Sequence, residues 1–200
     1  MSDTEHFRPI DHEMLGEAAQ RLHPGIDRRT LRTRQALHQA LIRLVMERGY
    51  DQVSVADIAD AANVGRSTFY AHFTDKDDLL RSGIGYLKSM LIDPSSDGSD
   101  PLEFSRFLTK HLHEQRKLYR AMMRGGSGPI ILSSLRASIC DVVRDGLRRR
   151  GSAPPDEIEV QFIVGAYVSV VTWWLDRGGK DPASVIDARF RGLATAALAS

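Results

Sequence analysis

The sequence predicts an all-α chain, and three observations carry that prediction. Apolar residues recur at i, i+3, i+4 and i+7 over most of its length. The segments so marked are separated by short breaks rich in Pro and Gly, and no run alternates polar with apolar residues between turn signals. No internal repeat is visible, and 200 residues supply enough chain for one or two domains with a sizeable core.

Residues 1–27 contain Pro9, Pro24 and scattered acids, with a helical look only at 14–22, and read as a flexible arm. Over residues 30–48, Leu37, Ala40, Leu41, Leu44 and Val45 form one apolar stripe, and Gly49 stops the helix as a C-terminal glycine does. Ser54 and Asp57 then make an approximate capping box, so a second helix starts there with Val55, Ile58, Ala59 and Ala62 inward. Asn63 tolerates the left-handed conformation needed for a tight turn. Val64 plugs the angle between helices, and Gly65 serves as N-cap of a third helix running to about Phe73.

Phe69 and Phe73, four apart, give that third helix a buried face. Arg66, Ser67, Thr68, Tyr70 and His72 lie opposite, a short donor-rich set of the right length to enter a major groove. Thr74 is placed to cap a fourth helix, with Lys76 in its first turn and Leu79, Leu80, Ile84 and Leu87 inward as far as about residue 91. Two short helices around a tight turn, the second polar on its outer face, are the layout of a helix-turn-helix DNA reader.

Residues 28–80 resemble the DNA-binding domain of the TetR family of bacterial transcriptional regulators, and Arg-Ser-Thr-Phe-Tyr-Ala-His-Phe-Thr-Asp-Lys at 66–76 is close to that family's signature. Asn63 stands where many members have glycine, and Gly65 where many have a polar residue, which leaves Gly65 a capping and backbone role. The resemblance implies an N-terminal helix-turn-helix DNA-binding domain of three helices, at 28–76, after the arm at 1–27. A helical-bundle domain for ligand binding and dimerisation follows at 77–200. It implies DNA contacts by Ser54, Arg66, Ser67, Thr68, Tyr70, His72 and Lys76. Arg66 is suited to guanine, Thr68 to a thymine methyl or phosphate, and Lys76 to phosphate alone.

Beyond a break at 94–101 the pattern predicts helices at 102–123, 130–150, 156–176 and 182–199, with a glycine-rich loop at 124–129. The segment 156–176 is apolar around most of its circumference and must be covered on most sides. The resemblance implies that the last two helices pair with their counterparts in a second copy, with Phe162, Ala166, Ser169, Val170, Trp174 and Phe190 at the interface. It also implies a small-molecule cavity, for which Phe107, His111, Tyr119, Met122, Met123 and Trp173 are the candidate lining; the effector's identity is not in the sequence.

The formal net charge is +1, but residues 28–76 carry eight basic side chains against five acids, a modest surplus on the part expected to face phosphates. Arg144, Arg148, Arg149 and Arg150 could form a second basic patch, although they suit the negative end of their own helix. The single Cys140 cannot form an internal disulfide, the N-terminus lacks a signal-peptide pattern, and the apolar run 162–175 falls short of the ~20 residues that span a bilayer. These features predict a cytoplasmic protein with no membrane partner.

No zinc-protease, hydrolase, phosphate-loop or dinucleotide motif is found, and His111 and His113 do not share a helix face. No catalytic residue, cofactor or metal site is expected. The sequence therefore predicts a DNA-binding regulator of a palindromic operator, most simply a repressor acting as a homodimer and released by a small molecule. The alternatives are a regulator whose C-terminal part only dimerises or binds a protein, and a small all-helical enzyme.

Overall fold

The computed structural model describes residues 27–91, 97–151 and 154–198, and among these every regular element is helical. The helical look at 14–22 lies outside the described residues. Helix α1 (Arg28–Arg48) ends at Gly49, whose φ of 80° is open to glycine at no cost, and a 3-10 turn at Tyr50–Gln52 follows. Helices α2 (Val55–Ala61) and α3 (Arg66–Tyr70) are joined through Asn63 at φ 54°, and α4 (Lys76–Lys88) leads away from them. The remaining helices are α5 (Glu103–Glu114), α6 (Arg116–Met123), α7 (Ser127–Arg150), α8 (Glu157–Asp176) and α9 (Ala183–Leu198).

The helix starts follow from local chemistry. The Ser54 hydroxyl accepts the Asp57 amide at 3.2 Å, and the Asp57 carboxylate accepts the Ser54 amide at 2.8 Å, a complete capping box. The start of α4 differs from expectation by one residue. Asp75, not Thr74, accepts the Asp78 amide, at 2.7 Å, while the Thr74 amide donates back to the Asp78 carboxylate at 3.0 Å. Two acids in the turn outcompete the threonine hydroxyl for amides at the positive helix end. Helix α7 begins three residues earlier than predicted, because Pro129 sits in its first turn, where a missing amide proton costs nothing.

Residues 102–123, predicted as one helix, are two. The break at Gln115 contains neither proline nor glycine, and its cause is tertiary. Leu108 and Leu112 of α5 face a core built with α7, α8 and α9, whereas Leu118 and Met122 of α6 face the core of the first four helices. A straight helix could not present both faces. That first core gathers Leu37, Leu41, Ile58, Phe69, Phe73 and Leu79, all nearly free of solvent, and receives Ile131 from α7.

Helix α8 runs 20 residues, longer than the apolar stretch counted from sequence, and by length and composition alone is long and apolar enough to cross a membrane. One face of it, Val160, Ile163, Val164, Tyr167, Val171 and Trp174, packs inside the chain. Its opposite face leaves Ile158, Phe162 and Trp173 exposed, at 77%, 52% and 51%.

Candidate nucleic-acid interface and the cavity behind it

Five residues are too few to hold a helix in water, so α3 exists because its apolar side is gripped. Phe69 is fully buried and Phe73 nearly so. Phe73 meets the edge of His38 at 5.7 Å and lies under the Arg34 guanidinium at 4.4 Å. Arg34 also donates to the Tyr86 hydroxyl at 3.1 Å and to the His72 carbonyl at 3.4 Å, tying α1 and α4 to the end of α3. Arg34 is thus held inside the chain by this network.

The other side of α3 faces water. Arg66 and Ser67 are exposed, Tyr70 is 59% exposed with its ring against Phe69, and Thr68 and His72 are half-buried. Thr68 and His72 form one wall of an open notch of about 390 Å³, whose other walls include Arg29, Thr30, Thr33 and Asn63. Arg29 and Thr30 were not singled out from sequence. The signal that could have found them is the run of arginines at 28, 29 and 32, which opens α1 beside the reading helix. Burial and then Arg34 lower the His72 pKa, so its imidazole is neutral at pH 7 and can offer one N–H but no charge.

Ser54 is exposed at the start of α2 with its hydroxyl already engaged by Asp57. The hydrogen bonds from Ser54, and Arg48 at 3.0 Å, depress the Asp57 carboxyl to about 2. Lys76 departs from the prediction of a pure phosphate contact. Its ammonium turns inward and donates to the carbonyls of Tyr50 and Val53, both at 3.0 Å, above the Tyr50 ring. The Tyr50 carbonyl already accepts the Val53 amide of the 3-10 turn at 3.1 Å and has a second lone pair to offer, the Val53 carbonyl points out of the turn, and the lysine stem is long enough to reach both.

A mainly apolar cavity of about 60 Å³ lies between the first four helices and the rest of the chain. Of the residues singled out for a ligand, His111, Tyr119 and Met122 line it. Phe107 stands behind His111, its ring stacked at 5.8 Å, and Met123 packs beside the first core. Trp173 is a correction: it projects from the outer face of α8 with Arg177 over its ring at 5.3 Å and does not line the cavity.

The sequence missed His38, Ile84 and Leu87, because α1 and α4 read as brace and link rather than as cavity walls. His38 bonds the Ser82 hydroxyl at 2.9 Å and lies close against Gly83, where a Cβ would come within 3.2 Å of its ring. Burial and then Arg34 lower the His38 pKa to about 3, and burial lowers that of His111 to about 4.

Two residues assigned to a subunit interface are turned the other way. Trp174 is 1% and Phe190 3% exposed, both inside the chain's own core. Adjacent positions on a helix point about 100° apart, so only one of Trp173 and Trp174 can face the core. Phe162 and Ser169 lie on the outer face, and Ala166 and Val170 at its margin.

The family model for bacterial regulatory proteins of the tetR family matches residues 37–82. An uncharacterized HTH-type transcriptional regulator of Bacillus subtilis (strain 168), YxbF, is 38% identical over 81 residues, 40% of this chain and 21% of that protein. The HTH-type transcriptional regulator TcmR of Streptomyces glaucescens is 31% identical over 86 residues, 40% of this chain and 37% of that protein. The chain thus spans well under half the length of these curated relatives. Among solved structures, a TetR transcriptional regulator from Streptococcus agalactiae 2603V shares 25% identity at TM-score 0.63, covering 84% of this chain and 96% of the other. A tetR-family regulator from Streptomyces coelicolor, 22% identical at TM-score 0.59 and covering 83% and 82%, shares the fold.

Two outcomes follow from these geometries. Lys76→Met removes the side-chain partner of the Val53 carbonyl and the second partner of the Tyr50 carbonyl, and lowers the unfolding free energy by about 1–3 kcal/mol in urea titrations. For His38 and His111 the folded pKa values lie below the ~6.5 of an unfolded histidine, so neither contributes above pH 6.5. Between pH 6 and 4 the unfolded chain takes up protons the native state refuses, and stability falls by up to about 1.4 kcal/mol per pH unit for each histidine. His111→Phe removes its share of that slope.

Proposed function

Because the chain belongs to the TetR family of bacterial regulatory proteins, we propose that it represses transcription by binding a palindromic operator as a homodimer, and that a small molecule in the cavity releases it. The observation that carries this reading is the division of α3. Phe69 and Phe73 are buried and fix the helix, which turns Arg66, Ser67, Thr68 and Tyr70 outward as one polar face. Such a face enters a major groove, with Arg66 positioned for the acceptor pair of a guanine and Tyr70 for the phosphate backbone. The notch beside Thr68, with Arg29 at its rim, takes the adjoining phosphates.

A single α3 reads only a few base pairs, and two copies related by a twofold axis would read half-sites centred about 34 Å apart or a multiple of it. Support for the second copy comes from the outer face of α8 and the neighbouring Leu193 of α9, 74% exposed, which together leave large apolar side chains in water. Self-complementary pairing of one such patch is the commonest oligomer geometry. The ligand acts by favouring a geometry whose reading helices no longer match the operator, a coupling typically worth ~1–3 kcal/mol. The modest volume of the cavity favours one competing reading, in which the C-terminal part only dimerises or binds a protein.

Selection of bound duplexes from a random pool tests the reading. It enriches a palindrome, and Arg66→Ala weakens that palindrome by about 1–3 kcal/mol and relaxes one base preference. No enrichment from the ligand-free protein contradicts it. Phe162→Glu, on the exposed face, gives a monomer in sedimentation velocity without loss of fold; an unchanged dimer removes α8 from the interface.

A further inference from the structure

The cavity between α1, α4, α5, α6 and α7 has a chemistry more specific than its apolar character. Its lining, among the described residues, contains no Asp, Glu, Lys or Arg. The polar groups it offers are two imidazoles and the Tyr119 phenol, and burial keeps all three uncharged at neutral pH by lowering both histidines and raising the tyrosine. An anion would meet no cation there and a cation no anion, and either would lose its hydration without return. The Nε2 of His38 is occupied by Ser82. The Nε2 of His111 is buried with no hydrogen-bond partner, although the ring is held firmly, stacked on Phe107 and edge-on to Tyr119 at 6.0 Å. A buried unpaired polar atom costs stability, and a native fold that carries one at a cavity wall has reason to.

We propose that this cavity binds a small uncharged alcohol or phenol, whose hydroxyl pairs with His111 Nε2 and whose hydrocarbon part fills the space among Ile84, Leu87 and Met122. A hydroxyl both donates and accepts, so it satisfies Nε2 in either imidazole tautomer, which a carbonyl or an ether does not. The volume of about 60 Å³ limits the guest to a few heavy atoms at rest, and a single ring enters when the flexible Met122 thioether swings aside.

This assignment rests on the ligand-responsive reading given above and adds the ligand's class. It also gives the ligand a direct route to the DNA-facing side. His38 forms part of the wall, and one turn before it on the same helix Arg34 holds the His72 carbonyl at the end of α3.

The test uses the full chain with ¹⁵N-labelled histidine and four probes: phenol, toluene, benzoate and benzylammonium. Phenol shifts the His111 Nε2 resonance saturably and raises Tm, since binding to the native state alone stabilises it. Toluene binds about tenfold more weakly, and the two ions leave both signals unchanged. His111→Phe, which keeps the stack on Phe107, brings phenol down to the affinity of toluene, and Ile84→Trp, which fills the space, removes the binding of both. Binding of benzoate or benzylammonium as tight as that of phenol, or no response of His111 to phenol, overturns the assignment. If an ion binds there and lowers affinity for the selected duplex, the class falls while the ligand-responsive reading stands. If phenol saturates His111 and the duplex affinity does not change, the class stands and the release mechanism falls.

Discussion

The burial of Phe69 and Phe73 is the interaction on which the rest depends. A five-residue helix has almost no intrinsic stability, because nucleation costs more than so few hydrogen bonds return. Two aromatic rings pressed against α1 and α4 supply what is missing, each burying on the order of 150–250 Å². Once they are fixed, helical geometry leaves no freedom in where Arg66, Ser67 and Tyr70 point. The polar face is precise because its apolar reverse is immobile.

The helices that grip α3 also wall the cavity. His38 of α1 touches Phe73 on one side and faces the cavity on another, and Tyr86 of α4 meets both His38, at 5.2 Å, and Arg34. A second connection runs through the 3-10 turn, where the Asp51 carboxylate accepts the Gly126 amide at 3.1 Å, at the positive end of α7. The break at Gln115 belongs to the same design, since it lets α6 turn into the first core while α5 stays in the other. The two cores are therefore coupled by packed side chains rather than by a flexible linker.

What could be read in the sequence was local. The Ser54 and Asp57 capping box, the left-handed Asn63, the Gly65 cap and the buried Phe69 each depend on a few neighbouring residues, and each is found in the fold as its chemistry requires. What could not be read depends on contacts made across the chain. Lys76 turns inward because the carbonyls of Tyr50 and Val53, at a 3-10 turn far back in the chain, offer it acceptors. Trp174 and Phe190 are buried where Trp173 and Leu193 are exposed, a choice made by which sides of α8 and α9 pack against α7 and α5. His38 lines the cavity because Gly83 admits it, and no periodicity within α1 announces that neighbour.

The most direct test of this account is hydroxyl-radical footprinting of the protein's own side chains, with and without a bound duplex. The account predicts protection at Tyr70 and the exposed flank of α3, extending to the Arg29 side of the notch, with Phe69 silent in both states. Protection centred instead on the basic end of α7, at Arg148 to Arg150, with α3 unchanged, would contradict it.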